Sequence, residues 1–264
     1  MKSLNGAEIV SYIKVRQAQQ VRALRQAEKI YPRLAIIITT NDPVIDTYVR
    51  LKQAYGADIL VDVDECRIDQ DKVIDKIKEL NNDKTVHGII VQLPLNDSSQ
   101  TDEIVQNIEP KKDVDGLADG SPFISATPMA IDWLLAGYNV DIKNKKIVIV
   151  GKGRLVGGPL SDMWTKAGHN VTVVEEGDDL AIGLRGADII VTATGKPGLI
   201  KSEIIPIGAA VVDAGVSSEE GGVRGDVDEL VYDRDDLTIT PRVGGVGPLT
   251  IAALFDNVIR SARP

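Results

Sequence analysis

The sequence predicts a parallel α/β protein that is divided into two α/β domains. Three observations lead to this fold class. Apolar runs of strand length alternate with stretches of helical periodicity along the 264 residues. The runs are nearly continuous in valine and isoleucine, as in strands that are covered on both faces. One run ends in a glycine-rich turn that leads into a helix, which is typical of a doubly wound parallel sheet.

Seven segments have the length and composition of strands, and they cover residues 33–40, 58–66, 86–93, 145–151, 170–175, 187–195 and 209–215. Helical periods fill most of the intervals, at residues 6–28, 69–83, 126–138 and 247–262. A further helix is expected within residues 41–56, since Asn41-Asp42-Pro43 is typical of a turn or a helix start.

The division between the domains is predicted at a helix rather than at a flexible linker. Three predicted strands precede position 127 and four follow position 145. We expect one domain to contain residues 1–122 together with the last helix, at 247–264, and the other to contain residues 123–246.

Composition excludes several classes of function. The net charge of −9 argues against non-specific binding to nucleic acid or to an anionic membrane. No run approaches the roughly 18 apolar residues of a membrane span, and no apolar signal core opens the chain, so a cytoplasmic protein is expected. Cys66 is the single cysteine and there are two histidines, which excludes a zinc site rich in cysteine and histidine. We therefore expect no metal.

The glycine-rich turn follows the predicted strand at 145–151 and has the spacing Gly151-x-Gly153-x-x-x-Gly157. Glycines let a backbone turn tightly and approach a pyrophosphate, but this spacing is one residue longer than the usual dinucleotide fingerprint. Glu175 ends the next strand, where an acid accepts hydrogen bonds from the adenosine ribose. A Rossmann-like dinucleotide domain is therefore predicted, with a purely structural turn as the alternative.

The predicted helix at 41–56 places Tyr48 and Lys52 on one face. A partly buried lysine with a lowered pKa exchanges protons near neutral pH, and a tyrosine hydroxyl orients it or the substrate. The alternative is ordinary packing beside a solvated charge.

Two more motifs in the first half carry polar groups. Gln92 ends a strand just before Pro94, and a buried glutamine offers both a donor and an acceptor. Asp113 and Asp115 flank a valine, so they point the same way if the segment is extended. A carboxylate there binds an amidine-like heterocycle through two hydrogen bonds. The alternatives are an ordinary strand exit and a charged surface loop.

Taken together, the motifs resemble those of the bifunctional methylenetetrahydrofolate dehydrogenase/cyclohydrolase family. They run from about residue 5 to the C-terminus in the family's order: DPVIDTYVRLK, VQLPL, KDVDGL, VGKGRLVGGP, TATGKPGLI, VVDAGV, GDVD and TPRVGGVGPLTIAALFDN. Three of them, VQLPL, KDVDG and GGVGPLT, are together far more specific than the glycine turn alone.

The resemblance implies two reactions. The first is oxidation of 5,10-methylenetetrahydrofolate to the methenyl form by hydride transfer to NADP or NAD. The second is hydrolysis of the methenyl form to 10-formyltetrahydrofolate. The resemblance further implies a folate cleft between two α/β domains and a homodimer paired through the nucleotide domain.

It also implies a role for particular residues. Lys52 resembles the catalytic lysine, Gln92 the partner that positions it, and Tyr48 the tyrosine that stacks on or orients the substrate. Asp115 resembles the carboxylate that binds the pterin ring. The remaining matched positions fall into two sets. The folate site includes Gly244, Gly245 and Pro248, and the cofactor site includes Gly151, Lys152, Gly153, Val156, Glu175, Thr194, Gly195 and Val216.

Some positions depart from the family pattern. Lys152 stands where many members have an arginine that holds the 2′-phosphate of NADP, and it lacks the bidentate geometry of arginine. Glu175 and Glu176 would repel such a phosphate. Local chemistry thus favours NAD, whereas the family favours NADP, and both stay open because Lys152 or Arg154 can still bind a phosphate. Arg242 and Val243 also alter the loop before the last helix.

Two other functions compete with the folate reactions. Another two-domain dehydrogenase, acting on a small hydroxy or amino acid, would explain the glycine turn but not VQLPL and KDVDGL together. A catalytically silent nucleotide-binding regulator would have no need of Lys52 and Gln92.

Overall fold

The computed structural model describes residues 2–215, 217–219 and 222–264, and it confirms the predicted α/β fold. The chain forms two compact units. We call residues 2–10 and 127–250 the six-stranded unit, and residues 11–126 and 251–264 the three-stranded unit, after the sheet that each contains. The predicted division into a folate domain and a dinucleotide domain stays a prediction, since it concerns what each part binds.

Eleven strands are found in the described residues: β1 (Lys2–Ser3), β2 (Arg33–Ile38), β3 (Asp62–Arg67), β4 (Gly88–Val91), β5 (Lys146–Val150), β6 (Asn170–Val174), β7 (Ile189–Thr192), β8 (Ala210–Asp213), β9 (Ser217–Glu219), β10 (Gly222–Arg224) and β11 (Thr238–Ile239). The α-helices of the same residues are α1 (Gly6–Ala23), α2 (Pro43–Ile59), α3 (Val73–Asn82), α4 (Thr101–Gln106), α5 (Ala126–Gly137), α6 (Gly157–Lys166), α7 (Leu180–Gly183) and α8 (Val246–Ser261). A π-helical turn at Leu24–Glu28 continues α1.

The larger sheet has the order β1–β11–β8–β7–β5–β6, and all its pairs are parallel. From β5 the chain crosses to β6 on one side and then to β7 on the other. The carboxyl ends of β5 and β7 therefore flank a topological switch point, where ligands bind in open α/β sheets. Strands β9 and β10 form a separate antiparallel pair.

The smaller sheet has three strands, and the chain again crosses first to one side of its starting strand and then to the other. Its order is β3–β2–β4, again parallel throughout, so the switch point lies between β2 and β4. Strands β2 and β4 are almost fully buried, in agreement with their continuous apolar sequences. Helix α3 packs on this sheet through Val73, Ile77 and Leu80.

Helix α2 begins as the sequence predicts. Asp42 caps it by accepting a hydrogen bond from the Val44 N–H at 2.7 Å, and Pro43 occupies the first turn. The expected strand at 58–66 starts too early, because α2 continues to Ile59 and ends at Leu60 in the left-handed conformation, with φ of 65°. The strand itself begins only at Asp62.

Candidate active site

A lysine–glutamine pair is the central feature of the three-stranded unit. The Lys52 ammonium, on α2, donates a hydrogen bond of 2.6 Å to Oε1 of Gln92, just after β4. The Gln92 side-chain amide donates to the carbonyl oxygen of Leu93 at 3.1 Å, which leaves Oε1 to face the lysine. The Gln92 backbone N–H donates to Ile37 of β2. The pair thus lies near the carboxyl ends of β2 and β4, which flank the switch point of the smaller sheet.

Charges in this cluster are tuned by burial. Desolvation lowers the pKa of Lys52, and the nearby Asp115 carboxylate partly opposes that shift. Burial raises the pKa of Asp115 to about 6, against the stabilising positive charge of Lys52. Burial also raises the pKa of Tyr48, one helical turn before Lys52. A lysine and a carboxylate whose pKa values are both shifted toward neutrality are suited to proton transfer.

The two aspartates of the KDVDG motif have different surroundings. The segment is a pair of tight turns rather than an extended strand: the Val114 N–H donates to the Lys112 carbonyl oxygen and the Gly116 N–H to the Asp113 carbonyl oxygen. The Asp113 side chain is fully buried and accepts a hydrogen bond from the Ala118 N–H at 2.8 Å. Asp113 therefore holds the turn, and Asp115 is the carboxylate that interacts with Lys52.

A cavity of about 470 Å³ lies at the carboxyl ends of β5, β6 and β7 in the six-stranded unit. Five of the predicted cofactor residues line it: Gly151, Lys152, Gly153, Glu175 and Thr194. Val156 directly precedes α6 and Gly195 directly follows Thr194. Val216 lies outside the described residues. The cavity has the position that a dinucleotide takes in a doubly wound sheet.

The glycine turn is built from close backbone contacts. Gly151 has φ of +92°, and a Cβ there would lie 2.8 Å from the Ala193 carbonyl oxygen. A Cβ at Gly157 would lie 1.9 Å from the Gly151 carbonyl oxygen. Gly151 needs to be glycine because of its positive φ and the nearby backbone after β7, and Gly157 because the start of α6 packs directly on the turn. Gly153 has no comparable contact, so its backbone is left open toward the cavity.

Sequence reasoning missed an aspartate that supports the cavity wall. Asp226 is fully buried, and its Oδ2 accepts a hydrogen bond from the Thr194 N–H at 2.7 Å. A Cβ on Gly215 would lie 2.1 Å from the Asp226 carboxyl carbon, and a Cβ on Gly225 would lie 2.0 Å from Oδ2 of Asp213. Each glycine thus makes room for the other segment's aspartate.

Asp213 in turn accepts four hydrogen bonds. They come from the Thr192 hydroxyl and from the backbone N–H groups of Gly215, Asp226 and Val227. We call the two aspartates and the two glycines that make room for them, Asp213, Gly215, Gly225 and Asp226, the Asp–Gly lock. The sequence shows the two motifs, Asp213-x-Gly215 and Gly225-Asp226, but it does not show that they contact each other in the fold.

Sequence reasoning also missed Lys196, which follows β7. Its ammonium lies 2.5 Å from Glu176, and both side chains line the cavity. Lys152 and Glu175 form a second, looser pair at 3.6 Å.

The predicted folate-loop residues lie at the start of α8. Gly244 has φ of +88° and its carbonyl oxygen accepts a hydrogen bond from the Ala7 N–H. A Cβ at Gly6 would lie 1.9 Å from the Gly245 carbonyl oxygen, so this loop packs tightly on the N-terminal segment of the same unit. Pro248 lies in the first turn of the helix.

Comparison with known proteins shows which family the chain belongs to. Residues 4–115 match the catalytic domain of the tetrahydrofolate dehydrogenase/cyclohydrolase family, and residues 125–264 match the NAD(P)-binding domain of the same family. The chain belongs to this family. The bifunctional protein FolD of Halothermothrix orenii is 35% identical over 278 aligned positions, which cover 99% of this chain and 98% of that protein.

Solved structures of the family have the same fold. The FolD enzyme of Campylobacter jejuni superposes with a TM-score of 0.93 at 34% identity, covering 99% of this chain and 98% of that one. The Trypanosoma brucei enzyme, determined with NADP and an inhibitor, has a TM-score of 0.91 at 28% identity, covering 98% of this chain and 96% of that one.

The part of the chain that the structure describes shows no cluster of three or more metal-ligating side chains. Within the same residues no helix combines the length and the apolar character that crossing a membrane requires.

Proposed function

We propose that the protein oxidises 5,10-methylenetetrahydrofolate to 5,10-methenyltetrahydrofolate with NAD(P)+ and hydrolyses the product to 10-formyltetrahydrofolate, in one-carbon metabolism. The observation that carries this proposal is the Lys52–Gln92 hydrogen bond beside Asp115, within the part of the chain that matches the family's catalytic domain. This cluster has the groups that a proton-transfer reaction needs.

The oxidation makes modest demands on the protein. Hydride leaves a carbon that is flanked by two nitrogens, whose lone pairs stabilise the cation that forms. When bound, NAD(P)+ supplies the hydride acceptor. The chain has to bind and orient the folate, which we assign to Tyr48 and Asp115, with the loop of Gly244, Gly245 and Pro248 as a further part of the substrate site.

The hydrolysis needs a proton donor and acceptor. Water adds to the methenyl carbon, and Lys52 in its neutral form takes the proton as the new C–O bond forms. The bond from this carbon to one ring nitrogen then breaks as the C–O bond becomes the formyl C=O. Lys52 returns its proton to that nitrogen, and the remaining proton of the added water leaves to solvent. Gln92 holds the Lys52 ammonium at 2.6 Å and so positions it through the cycle. The lowered pKa of Lys52 increases the fraction that is neutral at working pH.

The cavity at the β5–β7 switch point fits a dinucleotide. Gly151 and Gly153 place the backbone next to the cavity, and Thr194, in the segment after β7, also lines it. We assign Gly195, the next residue, to the cofactor site as well. We assign the ribose end to Glu175, with Lys152, Val156 and Val216 as further cofactor residues. The family resemblance favours NADP and Glu175 favours NAD.

Two further properties are proposed. We expect the protein to be a homodimer, from the resemblance to the family, and to act in the cytoplasm, from the composition of the chain. Neither property enters the chemistry of the Lys52 cluster.

One assay tests the proposal. Purified protein with methylenetetrahydrofolate and either dinucleotide should generate the absorbance of the methenyl product, and no signal with either would contradict the dehydrogenase activity. Lys52→Met should lower the rate of methenyltetrahydrofolate hydrolysis by a factor of about 10² to 10⁴.

Lys84→Met is the matched control, because Lys84 is an exposed lysine in a turn of the same unit. It should leave hydrolysis unchanged. A Lys52→Met protein that is folded by circular dichroism and hydrolyses at the normal rate would refute the role of Lys52.

A further inference from the structure

We propose that the cavity of the six-stranded unit selects NAD+ over NADP+, because both of its lysines are paired with glutamates that face the position of a 2′-phosphate. The inference rests on the proposed function, in which this cavity holds the dinucleotide. It concerns the four side chains of Lys152, Glu175, Glu176 and Lys196, which we call the charged rim.

Strand pairing places the charged rim at the ribose end of the site. Val150 and Val174 are register partners at the ends of β5 and β6, and the Gly151 N–H donates to the Val174 carbonyl oxygen at 2.9 Å. Glu175 is therefore next to the glycine turn. In doubly wound sheets the pyrophosphate lies at that turn, and an acid at the end of the following strand accepts hydrogen bonds from the ribose hydroxyls.

The acids after β6 are held in place by their own loop. The Glu175 N–H donates to Oδ2 of Asp178 at 2.8 Å, and Asp178 also lines the cavity. The described lining residues thus include three carboxylates, those of Glu175, Glu176 and Asp178, and two ammonium groups, those of Lys152 and Lys196. A 2′-hydroxyl donates a hydrogen bond to such a carboxylate, whereas a 2′-phosphate, an acceptor of charge about −2, is repelled.

Both lysines have carboxylate partners already. Lys196 lies 2.5 Å from Glu176, and its loop is turned in by a hydrogen bond from the Lys196 N–H to the Thr194 hydroxyl at 3.1 Å. Lys152 lies 3.6 Å from Glu175. All four side chains are more than half exposed, so each pair is weak by itself and a phosphate can compete for the lysine.

Such competition does not rescue NADP binding. If a lysine turns to the phosphate, its glutamate stays beside the same phosphate without a counter-charge. The repulsion is screened by water, and a penalty of about tenfold in affinity is expected from charges at this range. NAD+ leaves both pairs intact and gains a hydrogen bond at Glu175.

The test is the equilibrium binding of NAD+ and NADP+ to the full chain by isothermal titration calorimetry, without folate. We expect NAD+ to bind about tenfold more tightly. Glu175→Gln and Glu176→Gln should each raise NADP+ affinity by about threefold to tenfold. Glu203→Gln, an exposed charge change in the same unit away from the cavity, should change neither affinity.

A second variant tests whether the pairing of Lys196 with Glu176, rather than the charge of each side chain alone, controls NADP+ affinity. Lys196→Met should lower NADP+ affinity less in the wild-type background, where Glu176 already pairs with this lysine, than in the Glu176→Gln background, where the lysine is available to the phosphate. In the Glu176→Gln background the same change should remove the gain in NADP+ affinity. Equal effects of Lys196→Met in the two backgrounds would overturn the pairing.

The outcomes distinguish this inference from the proposed function. Equal or tighter binding of NADP+ by the wild-type protein overturns the selectivity and leaves the dehydrogenase assignment intact. Failure of both dinucleotides to bind overturns the two together. Tighter NAD+ binding, with the glutamate variants shifting toward NADP+, supports the inference.

Discussion

Lys112 is predicted to be a main support of the KDVDG motif, and Lys112→Met tests this. Its ammonium donates three hydrogen bonds, to the carbonyl oxygens of Leu80 and Asn81 at 2.8 Å and of Asp83 at 2.7 Å. These carbonyls lie at the C-terminal end of α3, where helix carbonyls lack partners within the helix. All three donors of the lysine are therefore used.

The magnitude follows from this count. A hydrogen bond to a charged group contributes about 1.5–3 kcal/mol, but the three bonds share one ammonium that water would also solvate, so they do not add in full. The favourable interaction of a cation with a helix C-terminus contributes about 0.3–1 kcal/mol more. We expect Lys112→Met to destabilise the protein by roughly 2–4 kcal/mol.

Thermal unfolding is the assay, with Lys111→Met as the matched control. Lys111 is the exposed neighbour, so its substitution removes the same charge and no such contacts. At about 2–4 °C per kcal/mol, Lys112→Met should lower Tm by about 4–16 °C. We also expect a higher KM for the folate, because Asp115 follows in the same pair of turns. Equal Tm values for the two variants would refute the reasoning.

Two further predictions follow from the burial of glycine and carboxylate groups. Gly215→Ala should destabilise the protein by about 1–3 kcal/mol in urea unfolding, because the new methyl group would overlap the Asp226 carboxyl group. Gly247→Ala is the control and should be neutral, because a Cβ at Gly247 would have open space around it. Burial raises the pKa of Asp115 to about 6, so its carboxylate predominates above that pH. The kcat/KM for methylenetetrahydrofolate should therefore fall as the pH drops below 6. If kcat/KM falls only near pH 4, this carboxylate is solvated and the reasoning is wrong.

The parts of the fold that the sequence predicted are those with a strong local period. Each of the seven predicted strand segments overlaps an observed strand, since continuous valine and isoleucine runs have few alternatives to a buried strand. The two-residue strands β1 and β11 were missed because two residues carry no period. Their pairing depends on segments more than 200 positions apart.

The candidate site divides in the same way. A four-residue spacing on one helix predicts that Tyr48 and Lys52 share a face, and this requires only local geometry. The Lys52–Gln92 hydrogen bond spans 40 positions, and the resemblance to a family, rather than spacing, connected the two residues. The partners of Asp226 and Lys112 come from tertiary contacts for which the sequence carries no local sign.

The Asp–Gly lock restricts how this part of the protein can change. Any side chain at position 215 occupies the space of the Asp226 carboxyl group, and any side chain at 225 occupies that of Asp213. Substitutions at one position of each pair are therefore tolerated only together with a shorter side chain at the other, and the two loops have to vary jointly. Since Asp226 also holds the Thr194 N–H, a change in either loop reshapes the wall of the dinucleotide cavity. Libraries that aim to alter cofactor preference should leave these four positions unchanged and randomise the charged rim instead.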